Sequence, residues 1–346
     1  MPDQEPDLEE FRQIDDADEL RRINADLQRR LRRAKAKTEE LVDATLAGAR
    51  DAMLSLGPVP PVPKPRLTKV SGKPEVALWH LTDWQGSKLT TTYNSQVMRE
   101  RVLRFCDTAQ RITTIQRHDH PVREGVVLLG GDIIESLFQF PAQPFEVDAT
   151  IFDQYARASR LVVDVVRRAL AIYEQVRVIG EWGNHGRIGP KRSAVPGSDN
   201  FDRMIYHLAK ELLADEKRLT WQDGPEDIQR FEIGNYRALL MHGDEIGRNG
   251  HASPATIVSY VVRQKSGAYR VDGAPWPFRD AYIGHRHTHA EWALPDGEGA
   301  VFQTGAPESD NRYAQVSMAA GALPTQRLHF VEPHKGRVCG QFKIWL

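Results

Sequence analysis

Five short apolar runs in this chain each end in side chains able to bind a metal ion. The first closes as Leu-Thr-Asp83-Trp-Gln85 and the second as Leu-Gly-Gly-Asp132-Ile-Ile-Glu135. The third closes as Gly-Glu-Trp-Gly-Asn184-His185-Gly, the fourth as Leu-Met-His242-Gly-Asp244, and the fifth as Ile-Gly-His285-Arg-His287-Thr-His289. A single Asp at a strand end is ordinarily a turn residue or helix cap, and a single His is ordinarily hydrogen-bonded rather than ligating. Five such ends in succession, several beside a Gly that lets backbones approach closely, are not explained by those ordinary uses. Imidazole, carboxylate and amide oxygen without thiolate suit Mn²⁺, Fe²⁺ or Zn²⁺ and disfavour a Cys-rich structural zinc site. Two divalent ions about 3.5–4 Å apart can clamp the attacking and leaving oxygens of an in-line displacement and generate hydroxide at neutral pH. No rival nucleophile motif is present: Gly-x-Ser-x-Gly and the phosphate loop Gly-x-x-x-x-Gly-Lys-Ser/Thr are both missing from the sequence.

These side chains need strands to carry them. Val76 to Leu81, Val126 to Leu129 and Val176 to Ile179 read as buried strands, with further short apolar runs at Ala238 to Met241 and Ala281 to Ile283. Between the first two, Met98, Val102, Phe105, Cys106, Ala109 and Ile112 recur at helical spacing; before the third, Ile151, Tyr155, Val162, Val165, Val166, Ala169 and Tyr173 do the same. Alternating strands and helices imply crossover units and an α/β sheet with helices on its faces. In such sheets ligands collect beyond the carboxyl ends of the strands, where the five clusters fall.

The series resembles the calcineurin-like metallophosphoesterase family, whose pattern is D-x-H, G-D-x-x-D/E, G-N-H, a later H, and G-H-x-H. The likeness covers about residues 76–346. Within the family it is strongest to phage and bacterial members carrying Gly-Asn-His-Gly-Arg, here Gly183 to Arg187, and the repair exonucleases share the same core. The resemblance implies a sandwich of mixed sheets flanked by helices and a site with two divalent ions, Mn²⁺ favoured and Fe²⁺, Zn²⁺ or Mg²⁺ as alternatives. Asp83, Gln85 and His287 would hold one ion, Asn184, His242 and His285 the other, and Asp132 would bridge both. Asp132 and His185 would be the catalytic pair, with His185 beside the phosphate as general acid or charge stabiliser. Arg187 would grip a phosphate oxygen, with Lys191 and Arg192 further along the same loop. Gln85 departs from the family's usual His; its carbonyl oxygen is a neutral and poorer donor, so the first ion should be held more weakly or be harder. By residue type, Glu135 and Asp244 could orient ligating histidines or serve as caps or surface acids, His289 reads as a solvated or outer residue, and Arg286 should point away from the metals. His80 falls on the opposite side of the pleat from Asp83.

Composition bounds the rest. The chain has 346 residues, 46 Lys+Arg against 47 Asp+Glu, 12 His and 2 Cys. A chain this long buries about 75% of its unfolded surface and needs no disulfide to fold. Cys106 and Cys339 form no C-x-x-C motif, which suits a reducing compartment. No apolar run approaches the roughly 18 residues of a membrane span, so no membrane contact is expected. A cytoplasmic location is expected, the host cytoplasm if the chain is phage-encoded. The near-zero net charge conceals segregation: residues 1–19 hold nine acids and one base, and residues 29–37 hold six bases and no acid. Leu27, Leu31, Ala34, Thr38 and Leu41 repeat at three- and four-residue steps, an a/d seam. The expected organisation is a long helical, coiled-coil-like appendage over 1–57, a proline-rich spacer over 58–74, and the metallophosphoesterase domain over 75–346. The seam suggests a homodimer, or else a helix packed on its own domain or a basic arm for nucleic acid. The expected activity is that of a phosphodiesterase or nuclease acting on DNA or nucleotides. A phosphomonoesterase and a weakly active assembly subunit are the alternatives.

Overall fold

The computed structural model describes residues 59–346 apart from 61, 68–69, 140–142, 189–197, 225–226, 248–251 and 311–322; before residue 59 it describes only Arg22, 24–29, Ala44, Ala47, Gly48 and Asp51, all helical. Most of the expected helical seam therefore lies outside the described residues, as do Lys191 and Arg192. Of the proline-rich segment, Val59 and Val62 pack against the core. The Val62 N–H donates to Glu216 at 2.7 Å, and the Val62 carbonyl accepts from Arg218 at 3.0 Å. Among the described residues no helix is long and apolar enough to cross a membrane.

Along the chain run β1 (Glu75–Leu81), α1 (Ser95–Gln116), β2 (Val122–Leu129), α2 (Ile151–Ile172), β3 (Gln175–Gly180), α3 (Phe201–Leu212), β4 (Leu219–Gln222), β5 (Gln229–Ile233), β6 (Tyr236–Leu240), α4 (Pro254–Arg263), β7 (Arg270–Val271), β8 (Ala274–Pro275), β9 (Asp280–Ile283), β10 (Ala290–Ala293), β11 (Ala300–Gln303), β12 (Thr325–Glu332) and β13 (Arg337–Trp345). The expected strands and both expected helices are present. One sheet has the order β13-β12-β1-β2-β3-β4 and a second β10-β11-β9-β6-β5. The pairs β1–β2, β2–β3 and β3–β4 are parallel, while β12 joins β1 antiparallel. In the second sheet β6, β9 and β11 are parallel neighbours.

Strand alternation sorts the core into layers. In β1, Ala77, Trp79 and Leu81 face α1, α2 and α3, whereas Val76 and Leu78 face the second sheet, meeting Phe231, Tyr236, Tyr282 and Phe302. Beyond the second sheet, Leu239, Met241 and Ile283 pack on Ile257 and Val261 of α4. The result is a helix–sheet–sheet–helix sandwich, the mixed α/β architecture expected. Local chemistry fixes the helix starts: Asn94 caps Gln96 and Val97 in α1, Thr150 caps Asp153 in α2, and Asn200 caps Asp202 in α3. All three helices begin just after a strand-end loop, at the edge of the sheet where the candidate ligands gather.

Tyr173 locks the helix layer to the sheet. Its hydroxyl accepts from Trp79 Nε1 at 3.1 Å and meets Thr113 at 2.9 Å, and the Arg117 guanidinium lies over its ring. A β-carbon on Gly125 would fall 2.3 Å from that ring. Gly125→Ala is therefore expected to lower stability by about 1–3 kcal/mol. Denaturant titration checks this, and an unchanged midpoint would contradict it.

Candidate metal centre

The strand ends do not simply stop; they turn through an unusual backbone conformation. Asp83, Gln85, Asp132, His285 and His287 all have φ between 48° and 67°. Non-glycine residues there carry roughly 1–3 kcal/mol of strain each and persist only where the surroundings dictate the geometry. Main-chain bonds supply that support. Asp83 N–H donates to Gly131 O at 3.0 Å, Gln85 N–H to Asp132 O at 2.9 Å, and Glu135 N–H to Gly86 O at 2.9 Å. Asp83 also crosses between sheets, because both its carboxylate oxygens accept from His285 N–H at 3.0 and 2.9 Å. Glycines at Gly183 and Gly284 are required by space: an added β-carbon would lie 2.0 Å from Asp132 Oδ1 and 2.5 Å from Asp83 Oδ2, respectively.

All seven residues expected as ligands converge. Donor atoms of Asp132, His242 and His285 lie within 4.8 Å of one another. His242 Nε2 is 3.1 Å from Asp132 Oδ2 and 3.2 Å from Asn184 Oδ1. On the other side, His287 Nε2 is 3.5 Å from Asp83 Oδ1 and 3.5 Å from Gln85 Nε2, and Gln85 Nε2 donates to Asp132 Oδ2 at 3.3 Å. Asp132 stands between the two groups. Burial pushes its pKa up, but His242 and His185 outweigh burial and hold the carboxyl well below its ordinary range. Gln85 Oε1 is buried without a hydrogen-bond partner, and turning the amide over would present that oxygen where Nε2 now stands. The oxygen and nitrogen donor set, the close trio and the orphaned amide oxygen fit a divalent ion.

His185 is held by its neighbours. Its main-chain N–H donates to Asp132 Oδ1 at 2.8 Å, while its ring Nδ1 lies 3.1 Å from Glu135 O and 3.3 Å from Glu135 Oε2. Burial lowers its pKa, but Glu135 and Asp132 outweigh this and push it up to about 9. Glu135 thus orients His185 rather than a ligand. Asp244 instead pairs with Arg187 at 2.6 Å, so the Arg187 guanidinium is already engaged by a carboxylate. Arg286 turns away as expected, donating to Gly243 O and Ile246 O. His289 also lies apart from the seven ligands; burial and the Arg327 charge bring its pKa down to about 3. His80 sits between the sheets with Nδ1 2.7 Å from Thr304 Oγ1.

Three buried residues at the site carry no sequence signal. Glu308 holds His287 Nδ1 at 2.7 Å, and Lys88 lies 3.3 Å from Glu135. Asp202, the second residue past the α3 cap, accepts from Asp132 N–H at 2.8 Å, Gly183 N–H at 2.9 Å and Ile133 N–H at 3.0 Å. It thereby fixes the loop bearing Asp132 against the loop bearing Asn184. Asp202→Asn replaces one accepting oxygen by a donor and is expected to weaken divalent-ion binding about 10–100-fold. Calorimetry reads this directly, and wild-type affinity in the variant would refute the role.

No family model matches the chain, and no curated protein matches it. Solved structures align over most of its length. Zinc-complexed Vps29 from Entamoeba histolytica covers 77% of this chain and 98% of its own, at 12% identity and a TM-score of 0.35. A hypothetical protein from Pyrococcus horikoshii covers 78% and 88%, at 13% identity and 0.38. A predicted phosphoesterase from Streptococcus pneumoniae covers 78% and 98%, at 11% identity and 0.30. Such scores are too low to carry residues or activities across, and the chemistry must be read from this chain's own side chains.

Proposed function

We propose that this protein is a metal-dependent phosphoester hydrolase of the calcineurin-like type. The observation that supports this is the convergence of Asp83, Gln85, Asp132, Asn184, His242, His285 and His287 around one buried carboxylate, with His185 alongside. Asp83, Gln85 and His287 would hold one divalent ion and Asn184, His242 and His285 the other, with Asp132 shared. Such a pair supplies Lewis acidity toward a phosphoryl oxygen and brings the pKa of bound water near neutrality. Oxygen-rich ligation with an amide in place of one imidazole favours Mn²⁺.

The chain's own contribution is positioning and proton supply. Glu135 Oε2 and the Glu135 carbonyl both face His185 Nδ1, which leaves Nε2 turned toward Asp132 Oδ2 at 3.9 Å. Burial lowers the imidazole pKa, but Glu135 pushes it up, which favours the protonated form. His185 Nε2–H is then placed to donate to a leaving oxygen or to a developing charge. A phosphodiester of a nucleic acid or nucleotide is the proposed substrate, supported by the motif likeness and by the basic block over 29–37. Arg187 Nη2 is paired with Asp244, so a phosphate held by Arg187 would share its guanidinium with that carboxylate.

The test compares Mn²⁺-dependent hydrolysis of mono- and bis-nitrophenyl phosphate and of labelled single- and double-stranded DNA. Diester and DNA cleavage that drops about 10²–10⁴-fold in His185→Ala and is lost in Asp132→Ala supports the proposal. Cleavage of the monoester alone points to a phosphomonoesterase, and no turnover by metal-loaded protein points to an assembly subunit. At the variant ligand, Gln85→His is expected to tighten Mn²⁺ binding, because imidazole is the stronger donor; an unchanged calorimetric affinity would show that Gln85 does not ligate.

A further inference from the structure

Two histidines of the centre, His185 and His287, are each faced by a buried glutamate. Glu135 Oε2 faces His185 Nδ1 at 3.3 Å, and Glu308 Oε2 faces His287 Nδ1 at 2.7 Å. The second oxygens of both glutamates turn to one cation. Lys88 Nζ is 3.3 Å from Glu135 Oε1 and 3.6 Å from Glu308 Oε1. The lysine side chain is 10% exposed and each glutamate side chain 1%, so water does little to screen the three charges. A row of five groups results: His185, Glu135, Lys88, Glu308, His287.

The lysine backbone is as constrained as its side chain. Lys88 N–H donates to Gln85 O at 2.9 Å, Leu89 N–H donates to Glu146 O at 2.8 Å, and Lys88 pairs with Val147 in an isolated bridge. The ammonium is therefore delivered from a fixed point, three residues past the Asp83–Gln85 turn. Burial works against its charge, but Glu135 and Glu308 outweigh burial and raise its pKa, so it remains an ammonium. Two buried carboxylates this close to one point repel each other unless a cation lies between them. The position of each glutamate then depends on the other, and so does the histidine that each one orients.

We propose that Lys88 is a positioning residue that sets the orientations of His185 and His287 together through Glu135 and Glu308. The inference rests on the hydrolase reading for its consequence, since His287 belongs to the proposed ion site and His185 to proton delivery. The tie itself is a property of the folded protein and can be tested without turnover.

The experiment uses the full chain and long-range ¹H–¹⁵N spectra of the imidazoles. Glu308→Gln, which keeps the shape of the side chain, is expected to move the ring resonances of His185 as well as those of His287. Glu135→Gln is expected to move those of His287 as well as those of His185. In a Lys88→Met background both cross-effects should vanish while the direct effects remain. If Lys88→Met does not fold, the two glutamine variants alone decide, because a tie through Lys88 requires their cross-effects. Glu308→Gln that shifts His287 and leaves His185 unchanged overturns the proposal, as do cross-effects that persist without the lysine. On a phosphodiester, Lys88→Met should lower kcat about 10–100-fold with little change in KM, with partial recovery in Lys88→Arg; a KM change alone would contradict positioning. Should the wild-type protein hydrolyse nothing, the hydrolase reading fails while the spectra still settle the tie.

Discussion

Asp132 is the residue on which the rest of the centre depends. Its main-chain N–H is held by Asp202, one carboxylate oxygen accepts from His185 N–H, and the other lies near His242 Nε2 and Gln85 Nε2. Those contacts tie the loops after β1, β2, β3 and β6 to one side chain that is 1% exposed. A carboxylate so deeply buried is costly unless its oxygens are all engaged. The requirement explains the glycine at Gly183, since any side chain there would displace Asp132, and it explains why α3 begins where its cap and Asp202 can reach the loop backbones.

The strained turns follow from the same demand. A strand places residues two apart, such as Asp83 and Gln85 or His285 and His287, on the same face but projecting in parallel about 7 Å apart rather than toward one point. Left-handed backbone at each of these residues bends the strand ends inward, and the main-chain bonds between the β1 and β2 loops hold the bend. His285 N–H bonding to Asp83 then docks the second sheet onto the first at the site itself. Sheet packing and site geometry are therefore one arrangement, in which loosening either interface would move ligands.

The strands β1, β2 and β3, the helices α1 and α2, and the residues that converge at the site were legible because each rests on a local signal: an apolar run, a helical stripe, or a motif beside glycine. Lys88, Asp202 and Glu308 were not, since their partners stand far away in sequence and nothing in their own neighbourhoods marks them. The strand β12 was missed for a different reason. All eight of its residues are buried, yet Thr325, Gln326, Arg327, His329 and Glu332 break any apolar run. Arg327 can only donate, so His329 Nε2 accepts from it at 3.1 Å and His329 Nδ1 passes a hydrogen bond to Tyr282, which meets Tyr236 at 3.1 Å. Tyr236 in turn bonds Asp280. A buried polar chain satisfied end to end looks, residue by residue, like an exposed strand.

The charge balance at the centre differs from that of the whole chain. Asp83, Asp132, Glu135, Asp202 and Glu308 are all buried around the site, with Lys88 the buried ammonium among them. Such a concentration of carboxylate draws positive charge from whatever source is at hand. Protons are one source: burial alone would lower the pKa of His242, yet Asp132 raises it well above the ordinary value, and burial keeps the Asp83 pKa raised. Divalent ions are the other source, and a ligating imidazole must give up its proton to bind one. Under the proposed function, protons and metal therefore compete for the same nitrogens, and the residues that look charged with protons are the ones that an ion would neutralise. A net charge of −1 over 346 residues is thus compatible with a cluster of buried acids at the centre, because those acids are averaged against basic residues elsewhere in the chain.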